Sequence, residues 1–125
     1  MQVCKLQPCE AVGLEYHRLE RFWKRLGARD GELALGAAME DLAILLREAT
    51  LAWQMSDFPA LRMRALGVQG IAERLGMPLL VRVAGDVIAL GHDADKAALA
   101  ATVSRLSRVG ERSLLAIWDA QVPTG

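Results

Sequence analysis

Apolar residues recur every three or four positions through most of this chain, and that period restricts it to helices that each bury one face. The clearest case is the segment from about Glu32 to Met55. There Leu35, Met39, Leu42, Leu45, Leu46, Ala49 and Trp53 keep helical spacing over a length usual in helix bundles. An earlier helix is expected from about Ala11 to Leu26, with Leu19, Phe22, Trp23 and Leu26 on one face. Gly27 ends it, the Arg29-Asp30-Gly31 turn follows, and Asp30 is the expected N-cap of the next helix. Ser56-Asp57-Phe58-Pro59 is a break that supplies a capping side chain and a first-turn proline. The third helix then runs to Leu75, where Gly76 stops it.

Pro78 opens a fourth helix, about Met77 to Leu90, with Leu80, Val83, Ala84 and Val87 inward. The same stretch also reads as a β-hairpin turning at Ala84-Gly85-Asp86; helix is preferred because a lone hairpin is marginally stable. Gly91 to Asp95 is a loop whose His92-Asp93-Ala94-Asp95 run lacks the glycine and glutamate of a calcium loop. Asp93 or Asp95 caps the last helix instead, about Asp95 to Asp119. Leu99, Val103, Leu106, Val109 and Leu114 are its inward residues. Trp23, Trp53 and Trp118 lie on apolar faces and are expected in the core. Short turns make neighbouring helices antiparallel, so the expected fold is all-α: an antiparallel up-down four-helix bundle with an additional N-terminal helix. Residues 1–10 are expected to be a flexible segment, 11–120 one domain, and 121–125 a mobile tail.

With 125 residues, 53% of them hydrophobic, the chain has material for one core. A formal net charge of zero argues against a protein built mainly to hold nucleic acid or an anionic membrane. Arg47, Arg62, Arg82 and Asp86 interrupt the apolar stretches before any reaches membrane-spanning length, and Met1 to Glu10 has no signal-peptide core. The expected location is cytoplasmic. Cys4 and Cys9 lack the further ligands a metal site needs and are read as ordinary thiols. The basic stripe Arg18, Arg21, Lys24, Arg25 and Arg29 reads first as a solvated face. Ser56, Ser104, Ser107 and Ser113 have no suggestive histidine partner, and no phosphate loop or nucleophile elbow is present. No enzyme, cofactor or metal is expected.

The third helix breaks its own pattern. Leu61, Ala65, Val68, Ala72 and Leu75 form its inward stripe, which leaves Leu66 among Arg62, Gln69, Gly70 and Glu73 on the opposite side. Gly67 and Gly70 flank this leucine, although each interior glycine costs about 1 kcal/mol against alanine. Glycine lets another surface approach closely, so these residues are candidates for a partner-binding face.

The run Ala65-Leu66-Gly67-Val68-Gln69-Gly70-Ile71-Ala72-Glu73-Arg74-Leu75-Gly76 resembles the signature A-H-x-L-K-G-x-A-x-x-x-G of histidine phosphotransfer (HPt) domains. Ala65, Gly70, Ala72 and Gly76 match it, and Val68 replaces its leucine. Asp57 and Leu61 upstream, and Leu80, Val83 and Val87 downstream, also fit the family, so the resemblance covers roughly residues 32 to 115. It implies a signalling module whose partners are response-regulator receiver domains and histidine kinases.

Leu66 stands where the family has its phosphoacceptor histidine, and Gln69 stands where it has lysine. Leucine has no nucleophilic nitrogen and glutamine no charge, so phosphoryl transfer is not expected. The leading reading is a phosphorylation-incompetent HPt-like module that binds a receiver domain or kinase as adaptor, decoy or inhibitor. Two others stand beside it: a structural helical bundle that forms a homodimer through the Leu66 patch, and a phosphocarrier using His17. His17, Leu19 and Gly27 share three offsets of the signature, but Glu20 and Arg21 replace its lysine and first glycine.

Overall fold

In the computed structural model, residues 12–90 and 95–121 are described, and all regular structure among them is helical. The five helices are α1 (Tyr16–Leu26), α2 (Ala28–Gln54), α3 (Phe58–Arg74), α4 (Pro78–Leu90) and α5 (Lys96–Gln121). The segment open to a hairpin reading is therefore α4, with Leu80, Val83, Ala84 and Val87 buried in a row that only a helical period aligns. Cys4, Cys9, Ala11, His92, Asp93 and the tail from Val122 lie outside the described residues.

Three of the four connections are tight for identifiable reasons. Between α1 and α2 a single residue, Gly27, breaks the helical path at φ 83°. The Gly31 N–H then donates to the Gly27 carbonyl at 2.7 Å, so α2 begins at Ala28 and takes in the expected Arg29-Asp30-Gly31 turn. Asp30 is therefore not an N-cap. It sits in the first turn of α2, where its charge complements the helix dipole.

Between α2 and α3, Ser56 adopts the left-handed conformation, φ 57°. The Ser56 N–H donates to Trp53 O (3.0 Å) and the Asp57 N–H to Ala52 O (2.8 Å), a Schellman closure built on serine rather than glycine. Asp57 then caps α3, its carboxylate accepting from the Ala60 N–H at 3.1 Å, with Pro59 in the first turn. Between α3 and α4, Gly76 (φ 71°) makes the same closure, with Met77 N–H donating to Ala72 O at 2.9 Å. Asp95 caps α5 through the Ala97 N–H, 3.0 Å away.

The core runs between α2, α3, α4 and α5. Leu35, Leu42, Leu61, Leu75, Met77, Leu80, Leu106 and Ile117 are among its largest completely buried side chains. α2 packs on α3 and α5, and α4 packs on the same two helices. α1 lies mainly on α2 and touches α3. The segment leading into α1 is fastened to the α3–α4 corner, where the Glu15 N–H donates to Gly76 O at 2.8 Å and the Arg18 guanidinium donates to Glu73 O at 3.1 Å.

The Trp23 side chain lies outside the described residues, and the other two tryptophans do not behave alike. Trp53 is half-buried against the core, but Trp118 is 60% exposed. Ile117 occupies the inward position of that turn, and the next residue is turned about 100° away towards solvent. Ser113 is the one completely buried polar side chain among the described residues, and its hydroxyl has no hydrogen-bond partner there.

The two left-handed corners respond oppositely to substitution. At Gly76 a Cβ would lie 2.6 Å from the Glu15 carbonyl oxygen. Gly76→Ala is expected to lower unfolding free energy by about 2 kcal/mol or more, since backbone strain adds to the clash. Ser56→Gly is expected to raise it by about 0.5–1 kcal/mol, because only the strain is removed. Urea-denaturation midpoints at unchanged m-value check both.

Candidate functional site

The candidate face belongs to α3, and its orientation follows from what α3 buries. Leu61, Ala65, Val68, Ile71 and Ala72 are buried along one side of the helix. A residue one position on from Ala65 is turned about 100° out of that stripe. Leu66 accordingly points outward and is 42% exposed, well away from the core.

The six residues singled out by sequence divide among three directions. Leu66, Gly70 and Glu73 share the open face and are exposed. Nothing stands within 4 Å of where a Gly70 Cβ would be, so the ground one turn beyond Leu66 is clear. Arg62 and Gln69 lean towards α4. Arg62 is exposed, and its guanidinium donates to Ile88 O at 3.5 Å. Gln69 is half-buried, and its amide donates to Val81 O at 3.3 Å. That amide also lies 3.2 Å from the position of a Cβ on Gly85, so α4 approaches α3 closely here.

Gly67 faces the other way. A Cβ there would come within 3.0 Å of a Leu45 methyl from α2. Its lack of a side chain is accounted for inside the molecule, by the approach of α2, and does not require an outside partner. Of the two glycines flanking Leu66, only Gly70 opens the surface.

Two features of this region escape the periodicity analysis. Met63, one turn before Leu66 on the same side, is 61% exposed and extends the apolar patch. Its position three residues ahead of Leu66 is the signal that could have revealed it. Beyond Glu73, Arg18, Arg21 and Arg25 of α1 meet Arg74 of α3 around the Phe22 ring, in a cleft of about 370 Å³. The basic stripe of α1 is thus split. Three of its arginines line this cleft, Lys24 lies 3.6 Å from Glu20 as an exposed ion pair, and Arg29 is exposed.

His17 is exposed at the second position of α1, with Arg21 one turn further on. Nothing gathers it with the Leu66 face. Among the described residues no group of three or more His, Cys, Asp and Glu side chains comes together as a metal site needs. The α3 face therefore offers an apolar anchor, open ground beside it and a basic cleft at its end.

Comparison with protein-family models, with curated proteins and with solved structures gives no match to this chain.

Because Gly70 lies in the middle of a helix with empty space where its Cβ would be, Gly70→Ala is expected to stabilise the fold by about 0.5–1 kcal/mol. A higher denaturation midpoint would show that folding does not require this glycine; a lower one would show that it does.

Proposed function

We propose that this chain is a phosphorylation-incompetent module, similar in plan to HPt domains, that docks a receiver domain or a histidine kinase through the Leu66 face of α3. The observation that carries the reading is the exposure of Leu66, an aliphatic side chain on the open side of a helix with clear ground at Gly70. In the resemblance this is the position of the phosphoacceptor ring. An apolar anchor there can contribute to binding when a partner closes over it, while offering nothing for a phosphoryl group to bond to. The role is therefore binding, as adaptor, decoy or inhibitor, and not catalysis.

The arrangement implied by this reading is an antiparallel up-down bundle of α2 to α5, with α1 as an addition. The ring of neighbours α2–α3–α4–α5–α2 and the tight corners at Ser56 and Gly76 support it. Among the described residues no helix is long and apolar enough to cross a membrane. The proposed partners place the module in the cytoplasm. Arg18, Arg21, Arg25 and Arg74 line the cleft at the end of the α3 face together with Glu73, and this excess of positive charge favours an acidic partner surface.

Purified receiver domains and kinase dimerisation domains titrated against the chain by calorimetry test the proposal. At least one should bind, and Leu66→Asp should weaken it by about thirtyfold, the loss typical of a central apolar contact. A phosphorylated receiver domain should transfer no label to the wild-type chain. Equal binding by the Leu66→Asp variant, no binding to any such domain, or label appearing on His17 would overturn the reading.

A further inference from the structure

Arg18, Arg21, Phe22 and Arg25 stand at positions i, i+3, i+4 and i+7 of α1, so one face of that helix carries three guanidiniums around an aromatic ring. Arg74 joins them from the last turn of α3, and together with Glu73 they line one cleft of about 370 Å³, a size common to small-molecule sites. Phe22 is half-buried, and the four arginines are exposed.

The charges of this cleft are not balanced from within the chain. Arg18 is engaged, since its guanidinium donates to Glu73 O at 3.1 Å and lies 3.7 Å from the Glu15 carboxylate. Arg21, Arg25 and Arg74 make no hydrogen bond or ion pair among the described residues. Elsewhere the same helix does pair its base, with Lys24 3.6 Å from Glu20 four positions earlier. On the cleft face that spacing instead sets Arg21 against Arg25, and Arg18 lies three positions before Arg21, an order that weakens a helix. The helix dipole favours the cations of Arg25 and Arg74, each in a last turn, but opposes Arg18 in the first turn and does nothing for Arg21. A solvated face requires no such gathering. Guanidiniums collected around an aromatic ring suit an anion with a flat body.

We infer that this cleft binds a nucleoside diphosphate, with its phosphates on Arg21, Arg25 and Arg74 and its base against the Phe22 ring. Guanidinium forks pair bidentately with phosphate oxygens, and a diphosphate has enough oxygens to engage more than one fork. Stacking on an aromatic ring tolerates any base, so the diphosphate and a planar base define the ligand, not one particular base. The Glu73 carboxylate has no side-chain partner among the described residues and is an acceptor for the sugar hydroxyls. The four arginines share one small cleft in a chain of zero net charge, instead of forming a track along its surface, which favours a small anion over a nucleic acid. The site stands apart from the Leu66 docking reading, and no partner protein enters its test.

Isothermal titration calorimetry of the full chain at physiological ionic strength tests the inference. ADP, GDP and UDP should each saturate one site with micromolar affinity. Adenosine and pyrophosphate, which each present only part of the ligand, should bind at least about tenfold more weakly than ADP. Arg21→Gln and Arg74→Gln, both at exposed positions, should keep their helical circular dichroism and lose at least about tenfold in affinity for ADP. Phe22→Leu should weaken ADP by about tenfold and leave pyrophosphate binding unchanged, which separates a lost stacking surface from a lost fold. No saturable binding of any of the three nucleotides would overturn the inference. So would ADP binding indifferent to the two arginine variants, pyrophosphate binding as tightly as ADP, or a single-stranded oligonucleotide binding more tightly than ADP, which would assign the cleft to nucleic acid.

Discussion

The packing of α2 depends on two consecutive leucines that fit two glycine notches. Leu45 lies where a Cβ on Gly67 of α3 would be, and Leu46 lies where a Cβ on Gly110 of α5 would be. Successive helical residues point about 100° apart, so one helix reaches two neighbours from adjacent positions. Removing both Cβ atoms lets the three helices come closer than larger residues would allow, and the small buried residues Ala49, Ala65 and Ala72 fit the same close approach. The helical-propensity cost of each glycine, about 1 kcal/mol, is offset by the contact it permits.

This keying also determines what faces outward. With Leu45 and Leu46 committed to neighbours, Ile44 has no direction left but solvent, and the exposed Leu33 and Met55 share its side of α2. On α3, Gly67 turned to α2 and Gln69 turned to α4 leave Leu66 and Gly70 between them on the open side. The two exposed apolar surfaces are thus consequences of the internal fit. The corners add a second constraint, since left-handed residues at Ser56 and Gly76 and a capping carboxylate at Asp57 reverse the chain within very few residues.

Much of this was legible in the residue pattern, and the failures have physical causes. Periodicity identified all five helices, and Asp57, Pro59, Gly76 and Pro78 marked their breaks, because caps and stops act locally. The helical reading of 78–90 prevailed over a hairpin for the same reason: its buried residues follow a helical period. The α1–α2 corner was misplaced because one glycine at positive φ did what three residues were expected to do, which made Asp30 a first-turn residue. Trp118 was expected inside and lies outside, since Ile117 is equally apolar and only the neighbouring helix decides between them. Gly67 and Gly70 look alike in sequence, yet one accommodates Leu45 and the other faces open space. That difference exists only in tertiary structure. The exposure of Leu66, by contrast, could be read from α3 alone, because its inward stripe is narrow and regular.

The keying of α2 is tested most directly by a double-mutant cycle on Leu46 and Gly110, read as unfolding free energy from urea denaturation. Gly110→Ala should destabilise the wild type, because its methyl group overlaps Leu46. In a Leu46→Ala background the same change should become neutral or stabilising by up to about 1 kcal/mol, leaving only the helical preference of alanine. An effect of Gly110→Ala that is the same in both backgrounds would mean that the leucine does not occupy the notch, and would contradict the account.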